Sequence, residues 1–352
     1  MKRFFSIILL FLLFAWSSHA QTVVIRSNEQ KAALMYNEAL ANYNKGKKEG
    51  LIATLKEAIK TDPKLASAYV LLSKIQSESG QIQEAVTTLK NYGLATSKKD
   101  SAYFFIALIY WDSQNYETAL TNVDLSIAEN PRNYKPYYLR AVLNAAMGNN
   151  SEAMADYQKA MGLNSDDAQL FYDFGVLNYQ LGKLEIALSN LNKALKLKSL
   201  PAYYNDRAVI YTALGKYNDA LADCNEALTI DPEFTAAFLT RGIVYLHDSE
   251  NEIALRDFNK YVSLEPQDFK GYNYRGLANL NLYKLNVNLS AKLQDALKDF
   301  NKAIELNSNQ AELYLHRGNA KELARQKDGA EADWKMAAKL GFKPAAEYKY
   351  AK

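Results

Sequence analysis

Five arginines in this sequence, Arg140, Arg207, Arg241, Arg275 and Arg317, are each followed by an aspartate at a near-constant distance. The partners are Asp156, Asp223, Asp257, Asp299 and Asp333, 16 residues on in four cases and 24 in the case of Arg275. A guanidinium and a carboxylate brought together make a two-pronged, charge-assisted contact. Such a pair sets the register of the elements that carry it more than it adds stability, because desolvation offsets much of the attraction. The other chemistry open to these residues is a ladder of arginines gripping an acidic ligand. An arginine already held by aspartate is poorly placed for that, so a structural ion pair is the expectation.

Catalytic and metal-binding residue types are scarce. Of the 3 histidines, His19 lies near the N-terminus, and His247 and His316 are far apart with no carboxylate pair at ligand spacing. The single cysteine, Cys224, excludes an intramolecular disulfide and a cysteine metal cage; it reads as a packing thiol. No glycine-rich phosphate loop, zinc-protease helix or nucleophile elbow occurs. No enzyme activity, cofactor or metal site is expected.

The elements that carry these residues emerge from an internal period. Pro63, Pro131, Pro232 and Pro266, each preceded by an acidic or amide residue, are spaced by 68, 101 and 34 residues, close to multiples of 34. Units then begin at Ala32, Ala66, Asp100, Tyr134, Ala168, Pro201, Thr235, Phe269 and Ala311, with one long step of 42 residues. Position twenty is alanine in every unit but the first: Ala85, Ala119, Ala153, Ala187, Ala220, Ala254, Ala296 and Ala330. Position eight is small, as in Ala107, Ala141, Gly175, Ala208, Gly242, Gly276 and Gly318, and position four is aromatic in eight units. Small side chains let two antiparallel helices approach closely, and Gly80, Gly148, Gly182 and Gly215 stand where a helix must stop and reverse. In this frame the five arginines occupy position seven and the five aspartates position twenty-three of the same five units.

These residues resemble the tetratricopeptide repeat family, whose consensus has an aromatic at four, Gly or Ala at eight, Ala at twenty and Pro near thirty-two. Tyr203 through Ala208, then Gly215, Tyr217, Ala220 and Asp231-Pro232, follow it closely. The resemblance covers about residues 32–342 and implies an all-α fold: a right-handed α-solenoid of nine antiparallel helical hairpins, ending in a short C-terminal capping helix over 343–352. Residues 21–31 lack the pattern and are expected to be a disordered segment. The extra residues of the long unit, around Leu282–Lys292, predict a lengthened turn projecting from one edge.

The family's concave groove is lined by positions two, five, six, nine, twelve and thirteen. Here these supply the candidate partner-binding residues Tyr36, Tyr43, Phe104, Trp111, Tyr138, Tyr172 and Tyr179, with a more polar and aliphatic second half around Asn205, His247 and Asn273. Aromatic anchors in a groove are what peptide segments dock on; the alternative is a glycan or cell-wall polymer stacked on the same rings. The resemblance also carries a clamp for chaperone C-termini in some members, with Lys at five and Asn at nine. No unit here has Lys at five, and Asn319 in the last unit is the sole Asn at nine, so chaperone docking is not expected.

Residues 1–20 place Lys2 and Arg3 before an apolar run from Phe4 to Trp16, ending in Ser18-His19-Ala20. Small residues at −1 and −3 fit a signal peptide cut before Gln21, and the apolar run is short of the roughly 20 residues needed to span a bilayer. The protein is therefore expected to be exported, periplasmic or secreted, and without a membrane span after cleavage. Of the formal net charge of +3, Lys2 and Arg3 supply two; the remainder is too small for a nucleic-acid face. The expected function is a non-catalytic scaffold that binds a protein or extended peptide.

Overall fold

The computed structural model describes residues 27–342, in which 18 helices follow one another with no strand among the described residues. The chain divides into two compact units, Met1–Ser165 and Asp166–Lys352. The first contains four hairpins: α1 (Asn28–Asn44) with α2 (Leu51–Thr61), α3 (Ala66–Glu78) with α4 (Ile82–Thr96), α5 (Lys99–Asp112) with α6 (Tyr116–Glu129), and α7 (Tyr134–Ala146) with α8 (Asn150–Leu163). The second contains five: α9 (Ala168–Gln180) with α10 (Leu184–Leu197), α11 (Pro201–Ala213) with α12 (Tyr217–Ile230), α13 (Thr235–His247) with α14 (Asn251–Leu264), α15 (Phe269–Leu285) with α16 (Ser290–Leu306), and α17 (Ala311–Leu323) with α18 (Lys327–Lys339). Residues 1–20, proposed as a signal peptide, and the capping helix expected over 343–352 lie outside the described residues.

The turns have one cause. Position fifteen is left-handed in Gly46, Gly80, Gly148, Gly182 and Gly215, where glycine adopts positive φ without steric penalty, and also in Gln114, Ser249 and Arg325. That conformation ends the first helix and sends the chain back. In the long unit the same position is Tyr283, which stays helical within α15. This overturns the expected lengthened turn. Both helices of that hairpin grow instead, to 17 residues each against 13 and 14 in the preceding hairpin. Without a left-handed stop, continuing an intact hydrogen-bond ladder is easier than opening a loop.

The expected disorder of residues 21–31 also needs correction at its end. Helix α1 starts at Asn28 because Ser27 forms a capping box: its hydroxyl accepts from the Gln30 N–H at 3.2 Å, and the Gln30 side chain accepts from the Ser27 N–H at 3.3 Å.

Hairpins close through complementary volumes at positions eight and twenty-four. A Cβ on Gly242 would lie 2.5 Å from the Phe258 ring, and one on Gly276 2.7 Å from Phe300. Gly175 meets Leu191 and Gly318 meets Trp334 in the same way. Where position eight is Ala208, the facing residue is Cys224, fully buried. The core of each unit is accordingly a chain of small clusters between successive helices rather than one centre.

Candidate interaction surface

The five arginines are fully engaged by protein. Arg140, Arg207, Arg241, Arg275 and Arg317 each donate Nε and Nη2 to the two carboxylate oxygens of Asp156, Asp223, Asp257, Asp299 and Asp333 at 2.6–2.9 Å. The aspartates are all buried. Each guanidinium also lies 5.4–5.7 Å from the ring at position four of its own hairpin: Tyr137, Tyr204, Phe238, Tyr272 and Tyr314.

A third contact was missed in the sequence. Nη1 reaches back to position twenty-five of the preceding hairpin, donating to Asp124, Asn192, Asn225, Asn259 and Asn301 at 2.6–3.0 Å. Each arginine is therefore a bracket between two hairpins as well as a pin within one. The signal was present: ahead of the hairpins without Arg at seven, position twenty-five is Lys56, Lys90 or Gln158. With fork, third donor and ring face occupied, these arginines are not free to grip a ligand.

The expected groove positions behave in two ways. Positions five and six are consumed by contacts between neighbouring first helices. In the first unit these contacts are apolar: Phe104 on α5 packs with Leu139 on α7, and Tyr36 on α1 with Leu71 on α3. Phe104 is only 7% exposed, so it is core and not an accessible anchor. Tyr36 is buried likewise, and Tyr138 is buried with its ring 6.0 Å from Tyr157.

In the second unit three of the four such junctions are hydrogen-bonded, while Leu239 and Tyr274 share an apolar cluster at the fourth. Tyr172 O–H donates to Asp206, Thr240 donates to Asn205 Oδ1 at 2.8 Å, and His316 Nδ1 meets Asn273 Oδ1 at 2.8 Å. Tyr203 stacks on Tyr172 at 4.4 Å between centroids and donates to Gln169 at 2.9 Å. Burial pushes the Asp206 carboxyl up, with the Tyr172 and Asn205 hydrogen bonds opposing it. Burial, helped by Lys284, pushes His316 down to about 4, so it is neutral at pH 7.

Position thirteen keeps access to solvent in every hairpin, and position twelve in all but the eighth, where Leu280 is buried. Tyr43 and Trp111 are half-buried and Tyr179 is exposed, so these three remain as ring anchors while Tyr172 is half-buried under its stack. At the turn end of the first unit, Tyr43 O–H donates to Glu78 Oε1 at 2.6 Å, and Lys74 Nζ lies 5.2 Å from the Tyr43 ring centre. Trp111 pairs with Tyr116 at 5.2 Å. Next to Trp111, desolvation and the nearby Glu78 push the Asp112 carboxyl up to about 6, against the opposing pull of Lys74.

Among the described residues, no group of three or more His, Cys, Asp or Glu is placed to hold a metal ion. Burial raises the Cys224 thiol to about 12, which leaves it protonated and unreactive. His247 is exposed and stacks on Tyr217 at 5.6 Å. No helix among the described residues is long and apolar enough to cross a membrane.

Comparison with known proteins agrees with this architecture. The tetratricopeptide repeat family matches residues 134–167 and 201–234, the fourth and sixth hairpins. Among solved structures, the Cut9–Hcn1 hetero-tetramer of the APC/C superposes with a TM-score of 0.57 at 16% identity, over 84% of this chain and 57% of that one. The C-terminal part of a TPR repeat-containing protein from Cytophaga hutchinsonii gives 0.53 at 15% identity, over 69% and 97%. Yeast Tom70 gives 0.51 at 12% identity, over 91% and 87%. At these identities the likeness is one of fold. No curated protein matches the chain. Two hairpins match the tetratricopeptide repeat family by sequence and seven more are built on the same positions, so the chain has the fold of a tetratricopeptide repeat solenoid.

Proposed function

We propose that this protein is a non-catalytic scaffold working outside the cytoplasm, which holds an extended peptide or a protein segment against the accessible edge of its first helices. The fold belongs to a family of protein–protein interaction scaffolds. The observation that carries the finer reading is Trp111: a half-buried indole beside Tyr116, on a surface that burial has not consumed. Large rings that keep partial access on a rigid helical frame give binding energy at low entropic cost. The basic-then-apolar leader, with Ser18 and Ala20 before Gln21, supports export.

Capture of partners from an envelope fraction tests the site. Trp111→Ala should weaken recovery by about 2 kcal/mol or more, on the order of thirtyfold, while the thermal midpoint moves little. Unchanged recovery would remove Trp111 from the interface and shift attention to Tyr179 and His247. Export is tested separately: N-terminal sequencing of the mature protein should begin at Gln21, and an intact leader on cytoplasmic material would refute it.

A further inference from the structure

Position twelve of the first four hairpins alternates large and small, as Tyr43, Ser77, Trp111 and Ala145. Position thirteen on the same edge is Asn44, Glu78, Asp112 and Ala146. Two carboxylates therefore flank the ring positions at the ends of α3 and α5. Only Lys74 answers them: its Nζ is 4.0 Å from Glu78, and it acts on Asp112 from a distance. Glu78 is further engaged by the Tyr43 hydroxyl. Asp112, at the exposed last residue of α5, makes no hydrogen bond or ion pair among the described residues. The lysines of the preceding turn, Lys45, Lys47 and Lys48, pair with neither carboxylate among the described residues. One cation thus serves two carboxylates, and the patch keeps an uncompensated negative charge beside two accessible rings.

A group that answers both features has an apolar stem and a positive end. The stem lies against aromatic faces, and the cation gains from ring quadrupole and carboxylate together. An acidic peptide or an anionic polymer would meet two carboxylates and be repelled. A neutral sugar would use the rings and leave the carboxylates idle. Deepening the scaffold reading above, we infer that the turn-end edge of hairpins one to three docks a lysine or arginine side chain of a partner protein, its cation at Glu78 and Asp112 and its stem on Trp111 and Tyr116.

Ionised Asp112 is the form that binds, and desolvation, opposed by Lys74 and helped by Glu78, pushes its carboxyl up to about 6. Affinity should therefore rise with pH across that value. The probe is an acetylated Gly-Ser decapeptide carrying two lysines, with a two-glutamate and an all-neutral counterpart. The readout is the Trp111 indole N–H resonance of the full chain, identified with Trp111→Phe. The lysine peptide should move this resonance saturably, with affinity falling on the order of tenfold from pH 7.5 to pH 5. Asp112→Asn should lower affinity at pH 7.5 by a similar factor and abolish the pH dependence. Lys74→Met, which frees Glu78, should raise affinity.

An equal response to the glutamate or neutral peptide overturns the inference, as does an Asp112→Asn protein that binds the lysine peptide like the parent. If partner capture persists in Asp112→Asn and Lys74→Met while the peptides fail, the charge chemistry falls and the scaffold reading stands. If Trp111→Ala also leaves capture intact, the site assignment itself falls.

Discussion

Where neighbouring first helices touch, the two compact units solve one geometric problem with opposite chemistries. Hairpins three and four meet through Phe104 and Leu139. The equivalent contacts in the second unit are Tyr172 to Asp206, Asn205 to Thr240 and Asn273 to His316. The arginine brackets are distributed in the same sense: Arg140 alone in the first unit, and Arg207, Arg241, Arg275 and Arg317 in the second. Apolar contacts are non-directional and depend on filled volume, whereas paired polar groups fix register and penalise any slip that leaves one unpaired. The first unit is therefore held by burial and keeps rings at its accessible edge. The second is held at three of its four first-helix junctions by directional bonds.

The largest expected effects break each mode of cohesion in turn. Phe104→Ala should cost about 3–5 kcal/mol in the first unit through the cavity it leaves. Arg241→Ala should cost about 3 kcal/mol in the second, because Asp257 is left buried without its partner. Replacing both members, Arg241→Met with Asp257→Leu, should recover much of that loss, although the Arg241 bond to Asn225 at 2.8 Å is not restored. Denaturant unfolding followed by hydrogen exchange would locate each loss. A single Arg241 substitution as mild as a surface change would mean that the brackets do not hold the second unit together.

Acid should separate the units further. His316 is depressed from its ordinary 6.5 to about 4, so the neutral ring stabilises the second unit fully above pH 6.5. That stability is lost as pH falls toward 4, by up to about 3 kcal/mol. Asp112 works in the opposite sense: its carboxyl is raised from 3.8 to about 6, so its contribution is greatest below pH 4 and is lost as pH rises through 6. Exchange protection measured from pH 7 to pH 4.5 should fall in hairpins eight and nine, and His316→Gln should flatten that fall. Equal acid sensitivity in the parent and in His316→Gln would show that another group carries it.

The smallest effect concerns one rung of the polar ladder. Thr240→Val keeps shape but leaves the Asn205 carbonyl without its donor, and should cost about 1 kcal/mol. A neutral outcome would mean that water replaces the hydroxyl, and the contrast with the apolar ladder would soften.

By itself, the sequence determined four relations that close inside one unit. Alanine at twenty, the small residue at eight, the breaker at fifteen and the Arg–Asp coincidence at seven and twenty-three all lie within a single hairpin. Their partners are a fixed number of residues apart, and repetition makes the pattern visible in one chain. Ser27 and Gln30 also formed a legible cap, which the missing repeat pattern around them obscured. The relations between hairpins were decided only in three dimensions. Whether Phe104 faces solvent or a neighbour depends on how closely successive first helices approach, and that distance is set by packing rather than spacing. The same holds for the third donor of each arginine, which reaches a residue on the preceding hairpin. The long unit shows the limit from the other side. Eight extra residues were plain in the count, but their addition to the helices followed from Tyr283 standing where other hairpins adopt a left-handed backbone. A spacing records how much chain there is; the backbone conformation available at one residue decided where it went.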